Sequence, residues 1–540
     1  MDDSGIRASQ LIFVVLLLIV VAFGALARRL RTPYPIVLVI AGLLVSLVPG
    51  IPRPSLDPDV IFFVILPPLL YGAAWNTSWQ QFRYNLVSIA SLAFGLVGFT
   101  VAGVAIVARW IAPGFDWRSG FVLGAVASTT DAIAATTIAR TMGLPRRIVD
   151  VLEGESLIND ASGLLALELG VLLISLGQLP TASFTFFRLL WLIAGGLAVG
   201  LMFGVLVAWL ERSIDDGPIE IAISILVPYA AYLIAGALDA SGVLAVVAAG
   251  LYLNPRSAHF LSPTVRLQLN AVWSALTFVL NGLVFALIGL QLPTVVAGIR
   301  GTSLGAMLVA GALFSALIIA LRLVWVFPGA RLSYFIRRRL LHQHEQIPPA
   351  RHLVVVGWAG MRGVIALAAA MSLPQTMAGG EPFPKRDAII FLIFCLILAT
   401  LVLQGLTLPP LIRVLGVSAP RGPECEEQEA HRIVLEAALS RLQSLRAKAT
   451  PQMAPVYEKI AEYYDRRIAS LGAAGEQDPL SHSEILLDLL RAERDAAIRL
   501  RDTQRIDDEE LRNLEYELDL REARLQASGQ HRHGGMAGTR

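Results

Sequence analysis

The segment 148–170 reads IVDVLEGESLINDASGLLALELG and sets three acids, Glu153, Glu155 and Asp160, into an otherwise apolar helical run. On a helix Ser156 and Asp160 form an i,i+4 pair, and Glu153 lies one heptad before Asp160. Glu155 and Asn159 form a second i,i+4 pair on the neighbouring ridge. Together they make one broad polar arc. A charge at mid-bilayer costs roughly 2.5 to 3.5 kcal/mol even on the lenient insertion scale. The arc therefore predicts a protein-lined or water-filled cavity, serving either a functional site or a structural ion pair.

A second polar cluster, Thr129, Thr130 and Asp131, interrupts the apolar run GAVASTTDAIAATTIA. The threonines alone could bond back to their own helix, but Asp131 needs another explanation. Its carboxylate, the hydroxyls and unwound carbonyls, set opposite Glu155, Ser156, Asn159 and Asp160, would form an all-oxygen cage. Oxygen ligands suit a hard cation such as Na⁺, and the lack of a Cys/His cluster argues against a transition metal. The proposed Na⁺ ligands are Asp160, Asp131, Thr130, Ser156 and Glu155. Arg362, between Gly360 and Gly363 in the run VVVGWAGMRGVIALAAA, is prohibitive if buried alone, so a carboxylate partner is expected. Glu155 is that expected partner, which leaves Asp160 as the titrating group. The spacing of Gly357, Gly360 and Gly363 imitates a nucleotide loop only superficially, because no strand precedes it; it fits close packing and a helix break.

The elements that must position these residues follow from composition. The 540 residues are 55% hydrophobic and only 16% charged, and the mean hydropathy is +0.63. That describes an all-α polytopic membrane protein. A net charge of +2 gives no support to nucleic-acid binding. Cys395 and Cys425 are expected to be free thiols, too few for a structural metal site. Apolar runs near 9–27, 34–50, 60–75, 85–109, 119–140, 148–177, 185–210, 219–238, 241–254, 268–292, 303–327, 353–373 and 387–414 predict about 13 spans at ~20 residues each. The first run has Asp2 and Asp3 before it and Arg28, Arg29 and Arg31 after it, the reverse of a secretory leader. With the N-terminus outside, inner loops collect about 15 Arg/Lys against about 7 in outer ones, which puts the C-terminus in the cytoplasm. The fifth and twelfth spans, both interrupted, occupy corresponding positions if spans 1–6 and 8–13 are inverted repeats, and broken helices at the midplane mark a transporter site. Residues 1–416 thus form a transmembrane domain and 417–540 a charged, helical cytoplasmic region. Its spaced leucines fit a helical hairpin or short coiled coil, and the tail from Gln526 is expected to be disordered.

The motif Gly154-Glu155-Ser156-Leu157-Ile158-Asn159-Asp160 resembles the signature of the sodium/proton exchanger family, in its electroneutral NhaP-like branch. Further similarity lies in Leu66-Pro67-Pro68-Leu69-Leu70, Ser241-Gly242-Val243-Leu244-Ala245-Val246, Asn281-Gly282-Leu283-Val284-Phe285 with Gly289, and Gly360-Met361-Arg362-Gly363, over most of residues 10–415. The resemblance implies an NhaA/NhaP-like antiporter fold, a homodimer in the cytoplasmic membrane, and exchange of Na⁺ for H⁺ with no cofactor. It implies that Asp160 alternately binds the proton and the cation. Thr130, Asp131, Glu155 and Ser156 would be cation-site residues, Asn159 the neutral member of the Asn–Asp pair, and Arg362 the brace of Glu155. One departure stands out: the family commonly has proline after this Asp, whereas here Ala132 follows Asp131. Unwinding must then come from the Ser/Thr cluster.

Asn159 supplies no second titrating carboxylate and no lysine lies within the ion-site spans, so the sequence predicts one Na⁺ for one H⁺. Li⁺ stands beside Na⁺ as a candidate cation, and a K⁺/H⁺ or broadly selective antiporter is the alternative in the same class. A gated channel would present repeated rings or filters, and an intramembrane hydrolase would need a peptide groove. His342, His344 and His352 read as loop histidines or pH sensors, and Arg337, Arg338 and Arg339 as topology or lipid-contact residues. Asp150, Glu153 and Glu168 stay open between funnel residue, structural partner and interfacial charge.

Overall fold

The computed structural model describes residues 3–30, 32–48, 58–111, 114–176, 181–299, 303–343, 347–377, 380–417, 422–447 and 454–472, with isolated positions between 489 and 522. Two compact units make up the chain, Met1–Ala419 and Pro420–Arg540. Among the described residues no strand occurs beyond an isolated bridge between Thr376 and Pro382.

The first unit is a succession of helices: α1 Asp3–Leu30, α2 Tyr34–Ser46, α3 Leu66–Asn76 and α4 Trp79–Ile111. The interrupted fifth span follows as α5 Trp117–Ser128 and α6 Ala132–Thr141. Next come α7 Arg146–Leu176, α8 Ala182–Glu211, α9 Gly217–Ala237, α10 Gly242–Leu253, α11 Pro263–Leu290 and α12 Leu304–Leu340. The interrupted twelfth span is α13 Ala350–Trp358 and α14 Val364–Met371, and α15 Arg386–Leu415 closes the unit. Among the described residues these fifteen helices, with each broken pair counted once, make thirteen segments at the positions of the predicted apolar runs. Nine are long and apolar enough to cross a membrane, among the described residues. α2 and α10, at 13 and 12 residues, fall short of the ~20 that a full crossing takes.

Local sequence explains where these helices start. Side-chain oxygens of Ser78, Asp116, Thr181, Asp216, Ser241, Ser262 and Ser303 each accept from a backbone N–H two or three residues into the next helix, satisfying donors that a helix end leaves free. Packing then sorts the helices around two apolar cores. One draws on α1, α2, α5, α6 and α12 to α15; the other on α3 and α8 to α10; α4 and α11 contribute to both. α7 borders both, offering Ile148, Val149 and Leu152 to the first and Leu157 and Ile158 to the second. Its polar arc consequently lies where the two cores meet.

Arg337 departs from the topology or lipid-contact role expected of it. It is 2% exposed, donates to Tyr84 O and, at 3.4 Å, to Asn85 Oδ1, and stacks over the Tyr84 ring. The planar guanidinium can satisfy a carbonyl, an amide and an aromatic face at once, whereas Arg338 and Arg339 are exposed. In the second unit, α16 Gly422–Arg446 and α17 Ala454–Gly472 are joined by an Arg446–Glu458 ion pair of 2.6 Å. The tail from Gln526, like His344, lies outside the described residues.

Candidate ion site

The site is built on the gap between α5 and α6. Ser128 and Thr129 turn their hydroxyls back to Ala125 O (2.6 Å) and Val126 O (3.2 Å), closing the last turn of α5. Residues 129–131 then leave the helix, and Asp131 Oδ1 accepts from Ile133 N at 2.8 Å as the N-cap of α6. An N-capping carboxylate starts the new helix without a proline, so the break is complete despite Ala132.

The second break, Ala359–Gly363, crosses the first. Asp131 N donates to Met361 O at 2.9 Å, and Arg362 Nε donates to Ala127 O at 2.7 Å. Each interrupted helix therefore satisfies backbone groups that the other exposes. The glycines of the second break make room for side chains. A methyl at Gly363 would collide with the Asp131 carboxyl group, and one at Gly360 with the Arg322 side chain.

α7 passes beside the crossing and binds it directly. Ser156 Oγ donates to Thr130 O at 2.9 Å, and Asn159 Nδ2 donates to Ser128 O at 3.0 Å and to Thr130 Oγ1 at 2.9 Å. Thr130 Oγ1 in turn lies 3.5 Å from Glu155 Oε1. Asp160 is 1% exposed and has Asp131, Arg362 and Glu155 as its charged neighbours. Asp160 Oδ1 and Asn159 Oδ1 are both buried with no hydrogen-bond partner. A buried carboxylate oxygen without a donor is costly unless a proton or cation meets it.

The expected ion pair between Arg362 and Glu155 is not formed. Glu155 is held instead by Arg322 of α12, whose Nη1 and Nη2 donate to Oε1 and Oε2 at 2.5 and 2.7 Å. Arg322 reaches Glu155 past Gly360 and also donates to Val356 O at 3.3 Å. Arg362 finds backbone partners, Gly360 O at 2.9 Å besides Ala127 O, and has Glu155 and Asp160 as acidic neighbours. Arg322 could have been noticed as a lone arginine inside the apolar run ALIIALRLVWVF. Thr400 Oγ1, which accepts from Arg362 N at 3.1 Å, carried no signal.

Thr130, Glu155, Ser156 and Asn159 are thus drawn into one bonded cluster, with Asp131 and Asp160 beside it. Thr129 stands apart, its methyl turned toward Gly163. Both Glu155 oxygens are engaged by Arg322. Two acids left open by the sequence take part in ion pairs along α7: Glu153 with Arg140 (2.7 Å) and Glu168 with Arg188 (3.0 Å).

Comparison with known proteins gives an independent view. Residues 14–414 match the family described as sodium/hydrogen exchanger, transmembrane. An uncharacterized Na(+)/H(+) exchanger of Mycobacterium tuberculosis is 35% identical, covering 97% of each chain. YjcE of Escherichia coli, also named as an uncharacterized Na(+)/H(+) exchanger, is 30% identical over 96% of this chain and 99% of its own. A Bacillus subtilis protein named sodium, potassium, lithium and rubidium/H(+) antiporter is 31% identical over 73% of this chain and 60% of its own. The fold is similar to that of the sodium proton antiporter MjNhaP1 of Methanocaldococcus jannaschii at pH 8, with a TM-score of 0.56, 17% identity, and coverage of 76% of this chain and all of the other.

Proposed function

The chain belongs to the sodium/hydrogen exchanger family of secondary transporters, which are not enzymes, and from that membership we propose that it exchanges Na⁺ for H⁺ by competition for Asp160. Cation/proton antiport is the activity of the family; the ion, the carboxylate and the stoichiometry are our reading. The observation that carries it is the buried, unpartnered Asp160 Oδ1 beside the equally unpartnered Asn159 Oδ1. Asp160 must release its proton to accept Na⁺ and release Na⁺ to accept a proton, because one small buried site does not hold both. Thr130, Ser156 and Asn159 hold the neighbouring oxygens in place, and Asp131 adds a second carboxylate. Glu155 is assigned to bracing by Arg322 more than to ligation. Only the neutralised site passes the apolar barrier, which makes transport an exchange. One titrating carboxylate carries one H⁺ for one Na⁺, so the cycle moves no net charge.

The N-terminus is assigned outside and the C-terminus to the cytoplasm, on the arginine bias of the loops, in the cytoplasmic membrane and as a homodimer. The name of the Bacillus subtilis relative supports a second reading, antiport of a wider range of cations that includes K⁺ and Li⁺. Recovery of a pH gradient in reconstituted vesicles, driven by Na⁺, Li⁺ or K⁺, ranks the cations. Asp160→Asn is expected to abolish recovery; full activity in that variant would move the coupling carboxylate elsewhere. Electroneutrality fails if turnover generates a membrane potential under symmetrical ion conditions.

A further inference from the structure

Gln404 of α15 is a buried polar side chain that the exchange reaction, as proposed, does not use. It is 0% exposed, and its Oε1 and Nε2 are both buried without a hydrogen-bond partner. Among the described residues it is the one buried side chain left with both donor and acceptor unmet. It ends a π-helical turn, Thr400–Gln404, inside α15, and such turns occur frequently at functional sites. Two hydrogen bonds fix where the turn lies. Arg362 N donates to Thr400 Oγ1 at 3.1 Å, and Trp358 Nε1 donates to Thr407 Oγ1 at 2.9 Å. Thr400, Gln404 and Thr407 have the i, i+4, i+7 spacing of one helix face. Trp358 and Arg362 flank the unwound residues 359–361, so Gln404 lies between two anchors on the second break. The next residue confirms the contact, since a methyl at Gly405 would stand 4.0 Å from Met361 Cε.

A buried amide with neither group paired is costly, and buried polar groups are ordinarily met by protein or by ordered water. The break is where a water beside Gln404 finds further partners. Its carbonyls have left the helical ladder, and each carbonyl carries two lone pairs. Gly360 O accepts from Arg362 Nη1 and Met361 O accepts from Asp131 N, which leaves a second lone pair on each. Met361 O is also the acceptor that ties Asp131 to the second break. Whatever holds the Met361 peptide therefore holds Asp131.

We propose that Gln404 is a positioning residue for the exchange: through a buried water its amide holds the unwound backbone at Gly360 and Met361, and so sets the place of Asp131 in the cation site. The inference rests on the reading of Asp131 as part of that site. The test is Na⁺-driven recovery of a pH gradient in vesicles carrying the full chain, with the melting temperature measured alongside. Gln404→Met keeps the side chain's length and deletes the amide. It is expected to raise KM for Na⁺ by about fivefold or more, as the loss of one hydrogen bond would, with kcat within about twofold. Its melting temperature should be no lower than the parent's, because an apolar side chain of the same shape leaves no unmet polar atom. Leu408→Met, at a buried position one turn further along α15, is expected to leave KM unchanged. An unchanged KM in Gln404→Met overturns the proposal, and so does an equal rise in Leu408→Met, which would make repacking of α15 the cause. A drop in kcat and melting temperature without a change in KM would give the amide a purely structural role and overturns it as well. Failure of the Asp160 reading shows separately, as full exchange in Asp160→Asn.

Discussion

Removing one partner of the Arg322–Glu155 pair should cost far more than removing both. The two side chains are 2% and 1% exposed and share two charge-assisted bonds of 2.5 and 2.7 Å. At an effective dielectric near 20, unit charges about 4 Å apart attract by about 4 kcal/mol. Deleting one member of a buried pair costs about 3–5 kcal/mol, because the other charge is left uncompensated, while replacing both by apolar groups is neutral or better. Arg322→Met and Glu155→Met should therefore each lower unfolding free energy by about 3–5 kcal/mol, and the double variant by less than either. Reversible unfolding in mixed detergent micelles, arranged as a double-mutant cycle, measures the coupling. A parallel cycle with Arg362→Met should give a much smaller coupling to Glu155, since Arg362 donates to Ala127 O and Gly360 O. Additive effects for Arg322 and Glu155, or a larger coupling to Arg362, would refute the assignment.

Gly363→Ala pushes a methyl into the Asp131 carboxyl group and should cost about 1–3 kcal/mol as an overpacked site, together with exchange. Gly98→Ala, with nothing within 4 Å of the added methyl, serves as the unperturbed control in the same thermal-unfolding and vesicle assays. Asp131→Ala should lose about 1 kcal/mol of stability with the α6 cap, and Asp131→Asn only a few tenths, because asparagine caps as well. Equal losses in thermal unfolding would remove the capping role. His352 stands just before the apolar run that starts at residue 353, and burial, then Arg351 and Arg147, lower its pKa. A base whose folded-state pKa is lowered binds fewer protons folded than unfolded, so stability should fall as pH drops below about 6.5, the ordinary histidine value. A pH series of melting temperatures should show this drop, and His352→Gln should flatten it.

The spans were legible because crossing a bilayer takes a long apolar run, and the breaks because polar or glycine-rich sequence interrupts two such runs. The polar arc was legible for the same reason, since Glu155, Asn159 and Asp160 have no place on a lipid-facing helix. The choice of partner was not. Glu155 and Arg322 are 167 residues apart, and both Arg322 and Arg362 lie in apolar runs, so the chain alone gives each an equal claim. The decision is made by Gly360, whose missing side chain is the passage that Arg322 occupies, and a missing side chain favours no particular neighbour until the helices are packed. Arg337 was hidden differently, inside the triplet Arg337-Arg338-Arg339, where two members face outward and only the fold identifies the third as buried.

The electrostatics of the crossing follow from where its four half-helices end. α5 and α13 bring C-terminal, partially negative ends to the crossing, and α6 and α14 bring N-terminal, partially positive ones. Arg362 donates to Ala127 O in the last turn of α5 and to Gly360 O just beyond α13, so the one cation in the break sits at the two negative ends. Asp131 caps α6, so a carboxylate sits at a positive end. Glu155 is matched by Arg322. Each fixed charge around the crossing is thereby matched by a helix end or an opposite charge, with Asp160 the exception. Its Oδ1 has no donor, and its cationic neighbour Arg362 is already committed to carbonyls. A carboxylate that the protein does not neutralise fully favours taking up a proton or a cation from outside. That is the property the proposed exchange at Asp160 calls for, since a permanent partner there would compete with both.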